Sequence, residues 1–246
     1  APLSASAIDR LKGKWHVEYE EWKCQDHSSF EVVYQWADGI YVKAGLEKDK
    51  AALLVIIGAL SNGRKVFFAC ESGYRESKES WSGVLRGLKN RGLMLGRLTI
   101  ADGHLGIWSA LGELHGEGKE QRCWNHKIRN VLDCFPKRLR AEAAEKLKAI
   151  PYAETLLECE RRRDTFIGRY RKDFPKATEK LLSDWDRMIT FYSFPKEHWP
   201  HLRTTNVVES PFSSVRLRTD AAKRFKKVQN ATAMIWKLLR VAEKNF

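Results

Sequence analysis

Polar and apolar positions alternate from Phe30 onward in "FEVVYQWADGIYVKAGL", where Val32, Tyr34, Trp36, Asp38, Ile40 and Val42 share one parity. A period of two in β-branched and aromatic residues predicts a strand of about ten residues or more, or two strands meeting near Gly39. "KAALLVIIGAL" is a continuous apolar run, the pattern of a strand buried on both faces. "SNGR", 61–64, is a turn centred on Asn-Gly, and "KVFFACESGY" reads as a third strand. The first three strands therefore form an antiparallel meander. The period then lengthens: Trp81, Val84, Leu85 and Leu88 recur at helical spacing behind a Ser77 or Ser80 cap, until "NRGL" stops the helix. "MLGRLTIADG", 94–103, reads as a fourth strand, "HLGIWSALGELH" as a second helix, and "KEQRCWNHKI" as a fifth short strand. The order βββαβαβ predicts a mixed α/β sheet with flanking helices.

From Arg129 to about Arg203 no strand pattern appears. "KRLRAEAAEKLKAI", "AETLLECERRRDTFIGRYRKDF" and "PKATEKLLSDWDRMITFYSF" read as amphipathic helices broken at Pro151, Pro175 and Pro195. The last segment returns to mixed polarity and ends in an apolar helix, "NATAMIWKLLRVAEKNF". The expected organisation is a helical or irregular stretch over 1–29, a first core segment over 30–128, a helical insertion over 129–203, and a closing core segment over 204–246.

Composition agrees with a folded chain: 43% of the 246 residues are hydrophobic and nine are tryptophan, which excludes disorder as the main state. No apolar run approaches the roughly 20 residues that cross a bilayer. The chain starts at Ala1 with no signal-peptide pattern, so a processed product or excised fragment is expected. Five scattered cysteines, an odd number, point to reduced thiols in a cytosolic compartment. Charge is unevenly placed. Residues 1–118 hold 15 Lys+Arg and 15 Asp+Glu, so the whole net charge of +13 lies in residues 119–246. Such asymmetry points to a polyanion such as nucleic acid; solvated basic helices are the plainer reading.

Three carboxylates stand out. Asp38 interrupts an otherwise apolar strand face, although Asp-Gly also makes a turn. Asp102 ends the fourth strand, where α/β sites gather and where Asp also caps helices. If the first and fourth strands lie side by side, both carboxylates project toward one point with little cationic competition, the minimum for holding Mg²⁺. Glu209, beyond the helical insertion, is the available third acid for a two-metal phosphodiester site.

Several stretches in order, "VVYQWADGIYVKAGLEKDK", "ESGYRESKESW", "ADGHLGIWSAL", "QRCWNHKIRNVLD", "HWPHLRTTNVVES" and "VRLRT", resemble the catalytic region of Mutator-type transposases of bacterial insertion sequences. The resemblance spans nearly the whole chain. It implies an RNase H-like fold with helices inserted before the last acid of an Asp, Asp, Glu triad, matched here by Asp38, Asp102 and Glu209. It further implies two Mg²⁺ or Mn²⁺ ions, Asp38 bridging both while Asp102 and Glu209 hold one each. Metal-dependent strand cleavage and 3′-OH strand transfer would follow, on transposon ends and target DNA. A homodimer or larger oligomer in the bacterial cytoplasm, associated with the nucleoid and with no membrane contact, completes the implied picture. "CWNH" matches the family's Cys-x-x-His: Cys123 is expected to pack in the sheet and His126 to help position groups near the metals. "CQDH", Cys24 to His27, is a second such pair, and a joint zinc site is the minor alternative.

DNA contacts are expected from Arg203, Arg216, Arg218, Lys223 and Arg224, with Trp199 as a base-stacking platform. For each of these a solvated helix face or a core anchor is the alternative. Two features depart from the family pattern. Only about 30 residues precede the first strand, so the family's N-terminal end-recognition region is expected to be absent. Pro211 follows Glu209 closely, so the helix carrying Glu209 either begins at Pro211 or begins earlier and bends. Two other functions remain open: a domesticated DNA-binding protein without catalysis, and an RNase H-like nuclease without strand transfer.

Overall fold

Strands β1 (Val32–Val42), β2 (Ala51–Leu60) and β3 (Lys65–Gly73) form the antiparallel meander that alternation and the Asn-Gly turn predict. Gly63 of that turn sits at φ +83°, a conformation side-chain-bearing residues rarely adopt. The computed structural model describes residues 4–44, 51–73, 75–103, 105–116, 118–221 and 225–244. Strands β4 (Leu98–Ala101) and β5 (Lys119–Arg122) complete a five-stranded sheet of order β3-β2-β1-β4-β5. The mixed five-stranded sheet with flanking helices is the α/β arrangement the sequence led us to expect.

The chain divides into two compact units, the division falling inside β4 after Thr99. Unit 1 comprises Ala1–Thr99, His104–Gly118 and Asn206–Phe246. Its helices are α1 (Ala5–Lys23), α2 (Lys78–Asn90) and α3 (Leu105–Leu114), with α10 (Asn206–Ala221) and α11 (Val228–Glu243) from the end of the chain. Ser77 caps α2 by accepting the Ser80 N–H at 3.2 Å. Helices α1 and α11 pack through Tyr19, Trp22 and Trp236, whose ring centroids lie 5.8–6.1 Å apart. The Tyr19 hydroxyl donates to the Cys70 carbonyl at 2.8 Å, which satisfies its one polar atom inside the core.

A side chain sets the register of β1 against the segment entering β4. Buried Gln35 donates to Thr99 Oγ1 and accepts the Gly96 N–H, both at 2.6 Å, and the Arg97 N–H donates to the Val33 carbonyl at 2.9 Å. Residue numbers therefore rise together on the two strands, so β1 and β4 run in the same sense. Gly96 is required there, because a Cβ would collide with the Val33 carbonyl.

Unit 2 comprises Ile100–Gly103 and Lys119–Thr205. It holds β5, α4 (Trp124–Leu132), α5 (Arg140–Ala149), α6 (Leu156–Tyr170), α7 (Pro175–Leu182), α8 (Trp185–Ile189) and the short α9 (Trp199–Leu202). Phe135, Phe166, Tyr170 and Phe174 form its aromatic centre. Two expectations need correction. Strand β5 stops at Arg122, and "WNHKI" is helical; Trp124, Lys127, Ile128 and Val131 are buried at helical spacing. The third helix of the insertion breaks at Asp184, which adopts a left-handed φ of 58° between α7 and α8.

Candidate functional site

Strand β1 carries Asp38 into unit 1 at only 7% exposure, opposite Val55 of β2. The Gly39 N–H donates to Asp38 Oδ1 at 2.8 Å, which fixes one carboxylate oxygen against its own backbone. Gly39 also admits a neighbour that sequence reasoning did not single out: a Cβ there would lie 2.5 Å from Glu76 Oε1. Glu76, in the loop before α2, is likewise 7% exposed and accepts a hydrogen bond from the Tyr41 hydroxyl at 2.9 Å. Its only signal was its place in "ESGYRESKESW".

Helix α10 packs against β1 and β2 and holds half-buried Glu209 in its first turn. The helix begins at Asn206, so Pro211 lies inside it. A proline there removes the N–H that would have bonded the Val207 carbonyl. Asp38 and Glu209 therefore belong to one unit, on elements packed together. Arg216 and Arg218 are exposed further along α10. Lys223 and Arg224 lie outside the described residues.

Asp102 stands just past β4, in unit 2. Its carbonyl accepts from Arg122 Nε at 3.2 Å, and Gly103, at φ +100°, leaves room for that side chain, since a Cβ there would clash with it. Arg122 is 11% exposed and pairs with Asp184 at 2.7 Å. The expected lack of cationic competition is thus corrected: a guanidinium is present, with Asp184 balancing its charge. Arg122 itself sat unremarked in "QRCWNH". His126 Nδ1 lies 3.9 Å from Asp102 Oδ1, ion-pairing distance when the imidazole is protonated.

Cys123 does not lie in the sheet. It is the N-cap of α4, its N–H donates to Ala101 at 2.8 Å, and its buried thiol accepts from the Thr205 N–H at 3.3 Å and hydroxyl at 3.2 Å. The Trp124 N–H meanwhile donates to the Arg203 carbonyl at 2.9 Å. These bonds tie residues 203–205, the segment that leads directly into α10, to the start of α4.

Trp199, expected to stack on a base, is 8% exposed, and its indole donates to the Phe194 carbonyl at 2.8 Å. Phe191 and Tyr192 pack on it at 5.6 and 4.7 Å, the contacts of a core anchor. Arg203 sits over Tyr152, at 4.7 Å, and Phe191, at 5.2 Å, and burial holds its pKa below the usual arginine range. Cys24 is exposed, whereas His27 is buried between Phe30 and Phe68 with Nε2 against Arg91. That packing commits His27 to the protein interior. Among the described residues, no helix is long and apolar enough to cross a membrane.

The family model for "Transposase, Mutator family" matches residues 1–246. The chain is 42% identical to the transposase for insertion sequence element IS6120 of Mycolicibacterium smegmatis, over 98% of this chain and 75% of that one. It is 37% identical to the transposase for element IST2 of Acidithiobacillus ferrooxidans, over 99% and 83%. Among solved structures, the catalytic core domain of HTLV-2 integrase, in complex with magnesium and in a trimeric form, aligns at 16% identity. That alignment has a TM-score of 0.28 and covers 49% of this chain and 85% of that one, so the assignment rests on the sequence relatives. The chain belongs to the Mutator family of transposases.

Proposed function

We propose that this chain cuts and joins DNA strands through Asp38, Asp102 and Glu209, which hold two Mg²⁺ or Mn²⁺ ions. The observation that carries the reading is a register. Val33 meets Arg97 and Gln35 meets Thr99 across parallel strands, and Asp102 follows Thr99 by the same three residues that separate Asp38 from Gln35. That equal spacing from a paired position supports a shared metal site for the two aspartates. Glu209 approaches from α10, which packs on β1.

The residues suit the ions. All three donors are carboxylate oxygens, the ligand type Mg²⁺ prefers. Asp38 is buried to 7% exposure, where a carboxylate is costly unless a cation offsets it. When bound, two such ions activate the attacking oxygen and stabilise the leaving one. In cleavage, water attacks a phosphodiester phosphorus, the bond to the 3′ oxygen breaks, and a 3′-OH is released. In joining, that 3′ oxygen attacks a target phosphodiester and displaces the target's own 3′ oxygen, so the number of phosphodiester bonds is unchanged. His126 lies where it orients Asp102, and exposed Arg216 and Arg218 contact DNA phosphates. Pairing of two ends implies at least a dimer, acting in the bacterial cytoplasm.

The test uses DNA carrying the element's terminal sequences, intact and with a pre-cut 3′-OH. Asp38→Asn, Asp102→Asn and Glu209→Gln are each expected to abolish both cutting and joining while the thermal transition is retained. An Asp38→Asn protein that cleaves at the wild-type rate with Mg²⁺ would refute the assignment. Cutting without joining by the wild-type protein indicates a nuclease, and binding alone a domesticated DNA-binding protein.

A further inference from the structure

Tyr152 closes a short 3-10 turn, Ile150–Tyr152, in unit 2. Its neighbours Ile150, Pro151 and Ala153 are buried, yet its own side chain is 68% exposed. The turn is pinned on both sides. Arg162 Nη1 donates to the Ala149 carbonyl at 2.6 Å, and the Tyr192 hydroxyl donates to the Ala153 carbonyl at 3.0 Å. An aromatic ring is thus held outward on fixed backbone, with its apolar surface left in water.

Arg203 supports one face of that ring. Its guanidinium lies 4.7 Å from the Tyr152 centroid, and 5.2 and 6.0 Å from those of Phe191 and Trp199. Among the described residues its side chain forms no ion pair or hydrogen bond, and Nε is buried without a partner. Aromatic faces alone therefore hold the cation, and its charge is not neutralised locally. No second ring packs on Tyr152 among the described residues, so the face opposite Arg203 is open. The stack has a fixed place in unit 2. The Trp124 N–H donates to the Arg203 carbonyl at 2.9 Å and the Cys123 N–H to the Ala101 carbonyl at 2.8 Å, which links this arginine to the residue before Asp102.

We infer that the open face of Tyr152 stacks on an unpaired base of DNA, with Arg203 backing the ring. This rests on the proposed function, which makes DNA the substrate, and it names a place where a strand separated from its partner is held. The charge of the unit fits a polyanion: unit 2 contains 20 Lys+Arg against 14 Asp+Glu. Every base has a π-face, so such stacking is independent of sequence. The same cluster buries Trp199 at 8% exposure, so Tyr152 is the ring it presents outward.

The full chain is titrated, without divalent ions, with a blunt DNA duplex and with the same duplex carrying a single-stranded thymidine tail. Tyr152→Ala should weaken binding of the tailed duplex by about 5-fold to 100-fold, the range for stacking one base. Binding of the blunt duplex and the thermal transition should stay unchanged. Tyr152→Phe keeps the ring and should bind as the wild type does. Arg203→Met removes the cation behind the ring and should weaken binding of the tailed duplex as well. A folded Tyr152→Ala protein that binds the tailed duplex like the wild type overturns the inference. Equal losses for blunt and tailed DNA overturn it too, as does a change confined to oligomeric state, which would make the ring a contact between copies. Asp38→Asn should leave tail binding intact, so failure of the metal-site assignment is read separately, from strand cleavage.

Discussion

In unit 1 a strand carries Asp38 to 7% exposure, and Glu76 is buried to the same extent against Gly39. In unit 2 the fully buried charge is a lysine. Lys127 Nζ donates to the Ser183 carbonyl and, at 2.9 Å, to the Ser183 hydroxyl. Ser183 is the C-cap of α7, so the ammonium meets the negative end of a helix and an orphan carbonyl. The β1 strand offers no such terminus, because its backbone groups are consumed by the ladder to β2. Asp38 takes the adjacent Gly39 N–H, and the proposed function adds metal ions. The helical unit gives its buried amine acceptors at a helix end, whereas the strand holds its buried carboxylate against a backbone N–H.

That contrast is broken most sharply at Lys127. Lys127→Ala should cost about 3 kcal/mol, since it opens a cavity and strands the Ser183 carbonyl; chemical denaturation of the full chain measures it. Burial first, and then Arg122, lowers the Lys127 pKa to about 7. A base whose folded pKa lies below its unfolded value loses its proton first in the folded chain, so the unfolded state then binds more protons. The Lys127 contribution should therefore be least favourable below about pH 7 and improve as pH rises toward the ordinary lysine range. Lys127→Met should erase that slope, and an unchanged pH profile would contradict the assignment.

A smaller effect is expected at Gly39. Gly39→Ala places a methyl group 2.5 Å from Glu76 Oε1 and should destabilise by about 2 kcal/mol. Glu76→Ala in the same chain should recover part of that loss, the signature of two residues in contact. Strictly additive effects would mean that Glu76 does not press on β1.

The smallest change belongs to the surface of α6. Glu158 is held well below the usual carboxylate range, at about 2, by hydrogen bonds first from Arg161 and then from Arg162. The group is solvated, and exposed ion pairs contribute little. Glu158→Gln should leave the melting temperature unchanged within error, in contrast to Lys127→Ala.

Legibility followed the range of the interaction. The meander β1–β3 could be read because alternation and an Asn-Gly turn are local signals. The boundary at Arg122 falls inside "KEQRCWNHKI", which reads as one strand, although Trp124, Lys127, Ile128 and Val131 follow the helical period. Asp38 was conspicuous as an acid among apolar strand neighbours. Arg122 was not, because its role depends on Asp184, distant in the chain and held in a left-handed conformation. Trp199 illustrates the same limit. Its nearness to Glu209 in sequence suggested DNA, whereas its indole is spent on Phe194 and its ring on Phe191 and Tyr192.

Residue order alone determined the succession of strands and helices, the uneven charge and the family, because periodicity, turn chemistry and motif order are written along the chain. Tertiary structure alone decided which buried groups have partners: Gln35 with Thr99, Cys123 with Thr205, and Lys127 with Ser183. The reason is desolvation. Whether a polar atom stabilises or costs depends on what replaces its lost water, and that replacement arrives from residues far away in sequence.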